Sequence, residues 1–470
     1  DGSWFKDRLA LMSLANAFPG EGHDAHPFPL SGVSARESGI SLQLIHPEGD
    51  HVEPCADHPH QERSQGSVSF IFTICTTMMG STLMTLPWGF ENCGLVTGIL
   101  VTAGSGLTSF YTCDLILSWG TRRGRRFEDF NDLCSFYLGA RAMHLANITS
   151  IITYIGATSC YHVLMATNLQ TVVQSFGSLA HLKLDIFCCG SGQAEYFVSS
   201  LLVGVAVWPL MQFRSLTVLM RVSRFGILSL LYNVLFIVGS AVAGRVDPAR
   251  AVPVKLVGNT SDTGVMTGIM GLSLFVHSLV LQMSDRHTNA VTSPLLVQRD
   301  LGLAYCAAVL IYIVVGAAPA VAFELGSRVY ANPEGGQLPQ NILLAYSQDS
   351  VGALIGRVAL TLQILIVYPI LGTTCRSQFF SAVTGNDWPG YRKGTAFSTA
   401  FVMFTTLVGA LYPEPGHVVG YVGAFTAVVY MVGMPVMVHL RASRLHGTLS
   451  GISVFLHVIL VVACTLLMLL

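Results

Sequence analysis

Apolar segments long enough to cross a bilayer follow one another from Gly66 to the end of this 470-residue chain. Most of them approach or exceed the roughly 20 residues that a helix needs to span the hydrocarbon core. Only 11% of the residues are charged, against about 25% in an ordinary soluble domain, so a water-soluble core could not hide this much apolar surface. We therefore predict an all-α membrane protein of about eleven spans. The spans lie near residues 68–90, 94–118, 144–176, 196–213, 222–243, 264–282, 301–323, 351–373, 394–412, 417–440 and 450–470.

Residues 1–66 differ in composition from the rest of the chain. They are rich in Gly, Pro, Ser and His and contain no long apolar run, so they cannot bury enough apolar area to offset the entropy of ordering. We predict a disordered tail over residues 1–66 and a transmembrane domain over residues 67–470. The histidines of the tail are irregularly spaced and the formal net charge of the chain is −1. Neither feature predicts a metal site or a nucleic-acid partner.

Basic residues are unevenly distributed between the two sets of loops. Loops on the side of the tail hold fifteen Arg or Lys residues, and loops on the other side hold five. Because cytosolic loops of membrane proteins are enriched in Lys and Arg, we predict a cytosolic N-terminus. With an odd number of spans, the C-terminus is then lumenal or extracellular. The sequon at Asn259 falls in a loop on that second side, so we predict glycosylation of Asn259.

The first span has a composition that is unfavourable for an uninterrupted helix. It contains Gly80, Pro87 and five Ser or Thr residues between residues 76 and 89. A break would expose backbone N–H and C=O groups at membrane depth, which is tolerable where they face protein or a polar cavity. The N-terminus of the second half-helix would attract a carboxylate, and the freed carbonyls on the other side would hold an ammonium group or a cation. A kinked helix packed against a neighbour is the alternative.

The sixth span repeats this pattern. Three glycines, Gly264, Gly268 and Gly271, lie within eight residues at its start, five spans after the first break. This spacing predicts a five-plus-five inverted repeat with spans 1 and 6 broken, in which spans 1–5 occupy residues 67–243 and spans 6–10 occupy residues 264–440. Span 11, at residues 450–470, is then an addition to the repeat. Close packing of two helices is the alternative reason for glycines at this spacing.

An ordered series of short motifs resembles the amino acid/auxin permease family, and within it the lysosomal, arginine-gated branch of sodium-coupled neutral amino acid transporters. The resemblance covers roughly residues 67–470. It rests on the segments 77–81, 86–90, 94–98, 161–165, 275–277, 299–301 and 367–372, together with Arg376.

The resemblance implies a secondary transporter that moves arginine, neutral amino acids or both across an endolysosomal membrane by alternating access, as a symporter or an exchanger. Main-chain groups of the first and sixth spans would hold the substrate. Carried over position by position, the predicted substrate-binding residues are Thr77, Met78, Met79, Gly80 and Ser81, with Thr267 and Gly268 facing them from span 6.

The sequence leaves two candidates for the coupling ion, Na⁺ and H⁺. The hydroxyl residue that the family uses in span 8 for sodium appears here as Ile366, and an aliphatic side chain cannot bind a hard cation. Thr76 and Thr361 are the remaining hydroxyl candidates for an ion site. His162 and His277 lie within spans, where we expect hydrogen bonds between helices, with proton relay as the alternative. Arg357 is expected to snorkel towards water, or else to act on a charged substrate.

Two other functional classes compete with transport. The resembled branch also acts as an amino-acid receptor whose tail binds Rag GTPases and the Ragulator scaffold, which makes such a complex a predicted partner beside the substrate and the lipid bilayer. An enzyme is not predicted, because the spans contain no carboxylate pair, no Ser-His-Asp arrangement and no metal-ligand cluster. We therefore expect no organic cofactor and no bound metal.

Overall fold

A computed structural model of the chain describes residues 66–120, 127, 129–179, 192–213, 226–288, 293–330, 336–386 and 388–469. The predicted tail, apart from Gly66, lies outside the described residues, so its disorder and its binding of a Rag or Ragulator complex stay predictions.

The described residues are almost entirely helical, and the β-bridges among them are isolated ones. A π-helical segment, Ala427–Gly433, joins the α-helices Pro415–Thr426 and Met434–Leu445, and single 3₁₀ turns occupy Ser81–Met84 and Ile342–Ala345. The α-helices are α1 Ser67–Met78, α2 Leu86–Cys93, α3 Leu95–Gly120, α4 Phe130–Leu138, α5 Ala140–Leu179, α6 Gly192–Met211, α7 Gly226–Ala243, α8 Thr260–Ser273, α9 Val280–Asp285, α10 Pro294–Glu324, α11 Val351–Thr384, α12 Tyr391–Leu411, α13 Pro415–Thr426, α14 Met434–Leu445 and α15 Gly451–Leu469.

The predicted number of spans agrees with these helices. Nine helices in the described part of the chain are long and apolar enough to cross a membrane, counting α13 to α14 as one. The other two predicted spans are each divided into two shorter helices, α1 with α2 and α8 with α9. These are spans 1 and 6, five spans apart, and α15 follows the second set of five. The fold is therefore that of a multi-pass, all-helical membrane protein with the predicted five-plus-five arrangement.

The break in span 1 occurs at the residues that predicted it. Helix α1 ends at Met78, and Gly80 is extended, with φ −106° and ψ −162°. One 3₁₀ turn follows, and α2 begins with Pro87 in its first turn. Proline is well suited to this position, because it lacks the N–H that a first turn leaves unpaired and its φ is already helical.

The break in span 6 lies farther along the chain than the glycines predicted. Helix α8 runs through Gly264, Gly268 and Gly271 and ends at Ser273, and α9 begins at Val280. Gly268 and Gly271 allow α8 to lie directly against α13, since Cβ atoms on them would overlap the carbonyl oxygens of Gly420 and Gly423. The packing alternative therefore accounts for these glycines, whereas the irregular backbone occupies residues 274–279.

Candidate functional site

The two breaks are joined by one buried tyrosine. Tyr312 projects from α10, and none of its surface is exposed. Its hydroxyl lies 2.8 Å from the carbonyl oxygen of Met78, at the end of α1, and 2.9 Å from that of Ser273, at the end of α8. Both acceptors are carbonyls that a helix end leaves without an internal partner. The irregular segments of the two half-repeats therefore begin beside each other.

The first break presents unpaired backbone donors. Among the described residues, no acceptor takes a hydrogen bond from the amide groups of Gly80, Ser81 or Thr82. The Thr82 hydroxyl also lacks a partner in this part of the chain, although only 7% of the residue is exposed. Consecutive free amides ahead of a helix form a favourable environment for an anion. The first break therefore offers backbone donors of the kind that carboxylates accept from.

Tyr161 from α5 bounds the same segment. A Cβ atom placed on Gly80 would lie 3.4 Å from the Tyr161 hydroxyl, and the Ser81 hydroxyl is within reach of the same group. The side chains of Met78 and Met79 are buried beside it, at 3% and 8% exposure. Polar groups of the break thus lie between apolar side chains. A side chain larger than that of glycine at position 80 would occupy the space next to Tyr161.

The structure separates the predicted site residues into two groups. Met78, Met79, Gly80 and Ser81 lie at the first break, and Thr77 is the residue before it, with its hydroxyl donating to the Thr73 carbonyl at 2.8 Å.

Thr267 and Gly268 lie within α8, upstream of the second break. The Thr267 hydroxyl donates to Thr263 at 2.7 Å, and Thr267 also lines an apolar cavity of about 380 Å³ bounded by α3 and α15. Gly268 faces α13.

The two candidate ion ligands are each hydrogen-bonded within their own helices. The Thr76 hydroxyl lies 2.9 Å from the Phe72 carbonyl, and the Thr361 hydroxyl lies 2.8 Å from the Arg357 carbonyl. Such bonds use the hydroxyl proton and leave the oxygen lone pairs available. Among the described residues, no group of three His, Cys, Asp or Glu side chains could hold a metal ion.

Helix α3 supplies the polar partners of the second break. The Ser109 hydroxyl donates to the carbonyl oxygen of Leu274 at 3.2 Å, and Thr112 Oγ1 lies 2.8 Å from Nε2 of His277. These α3 residues, together with Tyr312 and Thr82, escaped the sequence analysis. Only their polarity within apolar segments distinguished them, and many packed membrane helices share that feature.

A polar cavity of about 320 Å³ lies beyond α2. A lid segment, residues 336–350, contributes to its wall. The lining residues are Trp88, Gly89, Asn92, Asp262, Val265, Gln337, Leu338, Gln340, Glu414 and His417.

The first part of the lid segment binds α2 and α13. The Leu338 amide donates to Glu91 at 2.8 Å. Gln340 accepts a hydrogen bond from the Gly416 amide at 2.8 Å, and its own amide lies 2.9 Å from Nδ1 of His417.

Arg357 holds the second part of the lid segment. We expected this residue to snorkel towards water, and the structure shows that it does not. Its side chain is completely buried, and its guanidinium donates to the carbonyl oxygens of Leu343 and Tyr346 at 2.8 and 3.0 Å. Asn341 adds a bond to Asn168 of α5 at 2.9 Å. Arginine can satisfy several carbonyls at once because its donors form a rigid fork, so it stabilises this segment against α11 and α5.

Comparisons with known proteins found a matching family, similar relatives and a similar solved structure. The family described as "Transmembrane amino acid transporter protein" matches residues 63–470. The chain is 23% identical over 450 residues to "Sodium-coupled neutral amino acid transporter 9 homolog" of Caenorhabditis elegans, covering 84% of this chain and 71% of that protein. It is 25% identical over 447 residues to "Neutral amino acid transporter 9" of Xenopus tropicalis, covering 84% and 78%. Among solved structures, the crystal structure of MhsT in complex with L-phenylalanine aligns with a TM-score of 0.46 at 12% identity, over 85% of this chain and 96% of that one.

Proposed function

We propose that this chain, which belongs to the transmembrane amino acid transporter family, carries an amino acid across its membrane by alternating access and holds the substrate carboxylate at the break in span 1. The observation that carries the proposal is the run of free amides at Gly80, Ser81 and Thr82, beside a buried Thr82 hydroxyl without a partner. Free donors at this depth are costly unless a ligand satisfies them.

The zwitterionic end of an amino acid suits the two ends of this break. Its carboxylate would accept from the free amides ahead of α2, and its ammonium group would lie near the carbonyl ends of α1 and α8 that Tyr312 brings together. Main-chain recognition of this kind does not depend on the substrate side chain. Neutral amino acids are the first substrates to test, because the relatives are named for them, and arginine is the next.

The finer parts of the proposal concern the membrane and the ion. We place the protein in an endolysosomal membrane with a cytosolic N-terminus, as the basic loops and the resemblance suggest. Sodium binding through Thr76 and Thr361 remains a prediction. Their hydroxyl protons are used within their own helices, so the free lone pairs are what they could offer to a cation.

Uptake of labelled glutamine, leucine and arginine into proteoliposomes tests the substrate site. Thr82→Val removes a hydroxyl that has no partner in the described fold, so the stability of the empty protein should be unchanged. If that hydroxyl binds the carboxylate, the KM should rise about ten- to hundredfold, since a hydrogen bond to a charged group contributes about 1.5–3 kcal/mol.

Thr102→Val is the matched control. The Thr102 hydroxyl is equally buried but donates to Gly98 within α3, so its loss should leave the KM unchanged. Gly80→Phe should abolish uptake by filling the space beside Tyr161, whereas Gly239→Phe, where nothing lies within 4 Å, should preserve it. Wild-type kinetics in both Thr82→Val and Gly80→Phe would rule out binding at this break.

A further inference from the structure

His277 lies in the second break, within the irregular residues 274–279, and its side chain is completely buried. Its Nε2 atom lies 2.8 Å from Thr112 Oγ1 on α3, whereas its Nδ1 atom has no hydrogen-bond partner among the described residues. A buried histidine nitrogen without a partner is uncommon, because native proteins pair most of their buried polar atoms. The transport geometry described above gives this atom no role.

The hydrogen bonds around Thr112 indicate which nitrogen carries the proton. The Thr112 hydroxyl has a single proton and lies 3.0 Å from the Thr108 carbonyl and 3.1 Å from the Ser109 carbonyl, which can only accept. It therefore accepts from an Nε2–H group of His277. The opposite tautomer would bury an N–H donor at Nδ1 with no acceptor, which is rarer in proteins than an unpaired lone pair. His277 thus presents a free basic lone pair inside the break.

We propose that Nδ1 of His277 is the binding site for a proton that is co-transported with the amino acid. This inference rests on the proposed function and adds its coupling ion. In each cycle a proton from water on one side adds to Nδ1 and forms an imidazolium. The same proton leaves Nδ1 to water on the other side, which regenerates the neutral imidazole with one H⁺ moved.

The link between proton and substrate is electrostatic. An imidazolium at this depth is costly without an anionic partner, so the described arrangement corresponds to the neutral ring. The substrate carboxylate, proposed at the amides of residues 80–82, supplies that negative charge from the first break, which Tyr312 joins to the second. The proton then favours substrate binding, and the substrate favours the proton by the same factor.

Other titratable groups are packed around residues 274–279, and we assign the proton site to His277 rather than to them. From α3 the titratable residues next to Thr112 are Cys113 and Asp114. Tyr154 of α5 bonds Ser278, and Tyr430 of the π segment contacts Phe275. Of these four, Asp114 is the one carboxyl group, and it has interactions of its own.

Glutamine transport in proteoliposomes tests the inference with two assays on the same protein. The first measures accumulation driven by a pH gradient, and the second measures counterflow exchange at equal pH, which needs no net proton movement. His277→Gln should reduce gradient-driven accumulation at least tenfold and preserve counterflow. His162→Gln is the matched control and should preserve both. His162 is equally buried, with Nε2 bonded to Ser200 and Nδ1 unpaired, but it lies on the unbroken helix α5.

A second pair of variants decides the question if His277→Gln does not fold. Thr112→Val removes the acceptor of Nε2–H, and that bond is stronger when the ring is charged. The pH of half-maximal uptake should therefore fall, by roughly 0.4 to 1.2 units, and Thr112→Ser should restore it.

The outcomes separate the two proposals. No counterflow in the wild type for any of the three amino acids would refute the proposed function and this inference with it. Counterflow combined with normal gradient-driven accumulation in His277→Gln would overturn the proton site alone. So would an unchanged pH midpoint in Thr112→Val.

Discussion

Replacing Tyr312 by phenylalanine removes the hydroxyl that connects the two breaks and keeps the ring that fills its place in the core. That hydroxyl has one proton for two carbonyl acceptors, at Met78 and Ser273, so the change removes the equivalent of about one hydrogen bond. Between membrane helices such a bond contributes about 0.6 kcal/mol on average and up to about 1.7 kcal/mol. If the bond forms only when the breaks are together, its loss should disfavour that arrangement about 3- to 18-fold.

The assay is the concentration dependence of amino-acid uptake in proteoliposomes, measured together with thermal stability in detergent. If the substrate is held when the breaks are together, as proposed, the KM of Tyr312→Phe should rise by the same 3- to 18-fold. Tyr196→Phe is the control, since the Tyr196 hydroxyl donates to the Gly409 carbonyl at 2.6 Å, between α6 and α12 and away from either break. The control should lose comparable stability with an unchanged KM. An equal KM in Tyr312→Phe and wild type would refute the bridging role.

Two further predictions concern packing and orientation. Gly268→Ala should greatly reduce the yield of folded protein, because the added Cβ would overlap the backbone of α13. The control, Gly104→Ala, should fold normally, since nothing lies within 4 Å of that position. Size-exclusion profiles of both variants measure the folded yield, and a monodisperse Gly268→Ala would contradict the packing. Asn259 is exposed at the start of α8, so Asn259→Gln should abolish a glycosidase-sensitive mobility shift. The control is Asn147→Gln, which removes the other sequon, Asn147-Ile148-Thr149 within α5, and should leave that shift intact. No shift in the wild type would contradict the predicted orientation.

The spans and the first break could be predicted from the sequence because their causes are local. Apolar length determines which segments can cross a bilayer, and Gly80 and Pro87 disfavour a continuous helix wherever they occur. The structure confirms both. The substrate role of the residues at this break stays a prediction, since it depends on a ligand.

The second break could not be located from the sequence because its causes are remote. Residues 274–279 contain neither glycine nor proline. Their polar partners lie far away along the chain. The Ser109 hydroxyl of α3 bonds the Leu274 carbonyl, and Thr112 of the same helix bonds the ring of His277. Tyr312 of α10 bonds the carbonyl of Ser273, where α8 ends. The nearby Gly268 and Gly271 are explained by a contact with α13, which is just as remote. Local composition can show where a helix is weak, but tertiary hydrogen bonds decide where it opens.

The lid segment has two parts that are attached by different contacts, and the boundary between them lies between residues 340 and 341. Beyond that point it is attached to α11 by Arg357 and to α5 by Asn168. Before it, three hydrogen bonds close the wall of the polar cavity by joining Leu338 and Gln340 to groups on α2 and α13. At about 0.5–1.5 kcal/mol each, their rupture requires about 1.5–4.5 kcal/mol. If these hydrogen bonds alone held it, this short stretch would open by thermal motion in about 0.05–7% of molecules, without any movement of the part that Arg357 anchors.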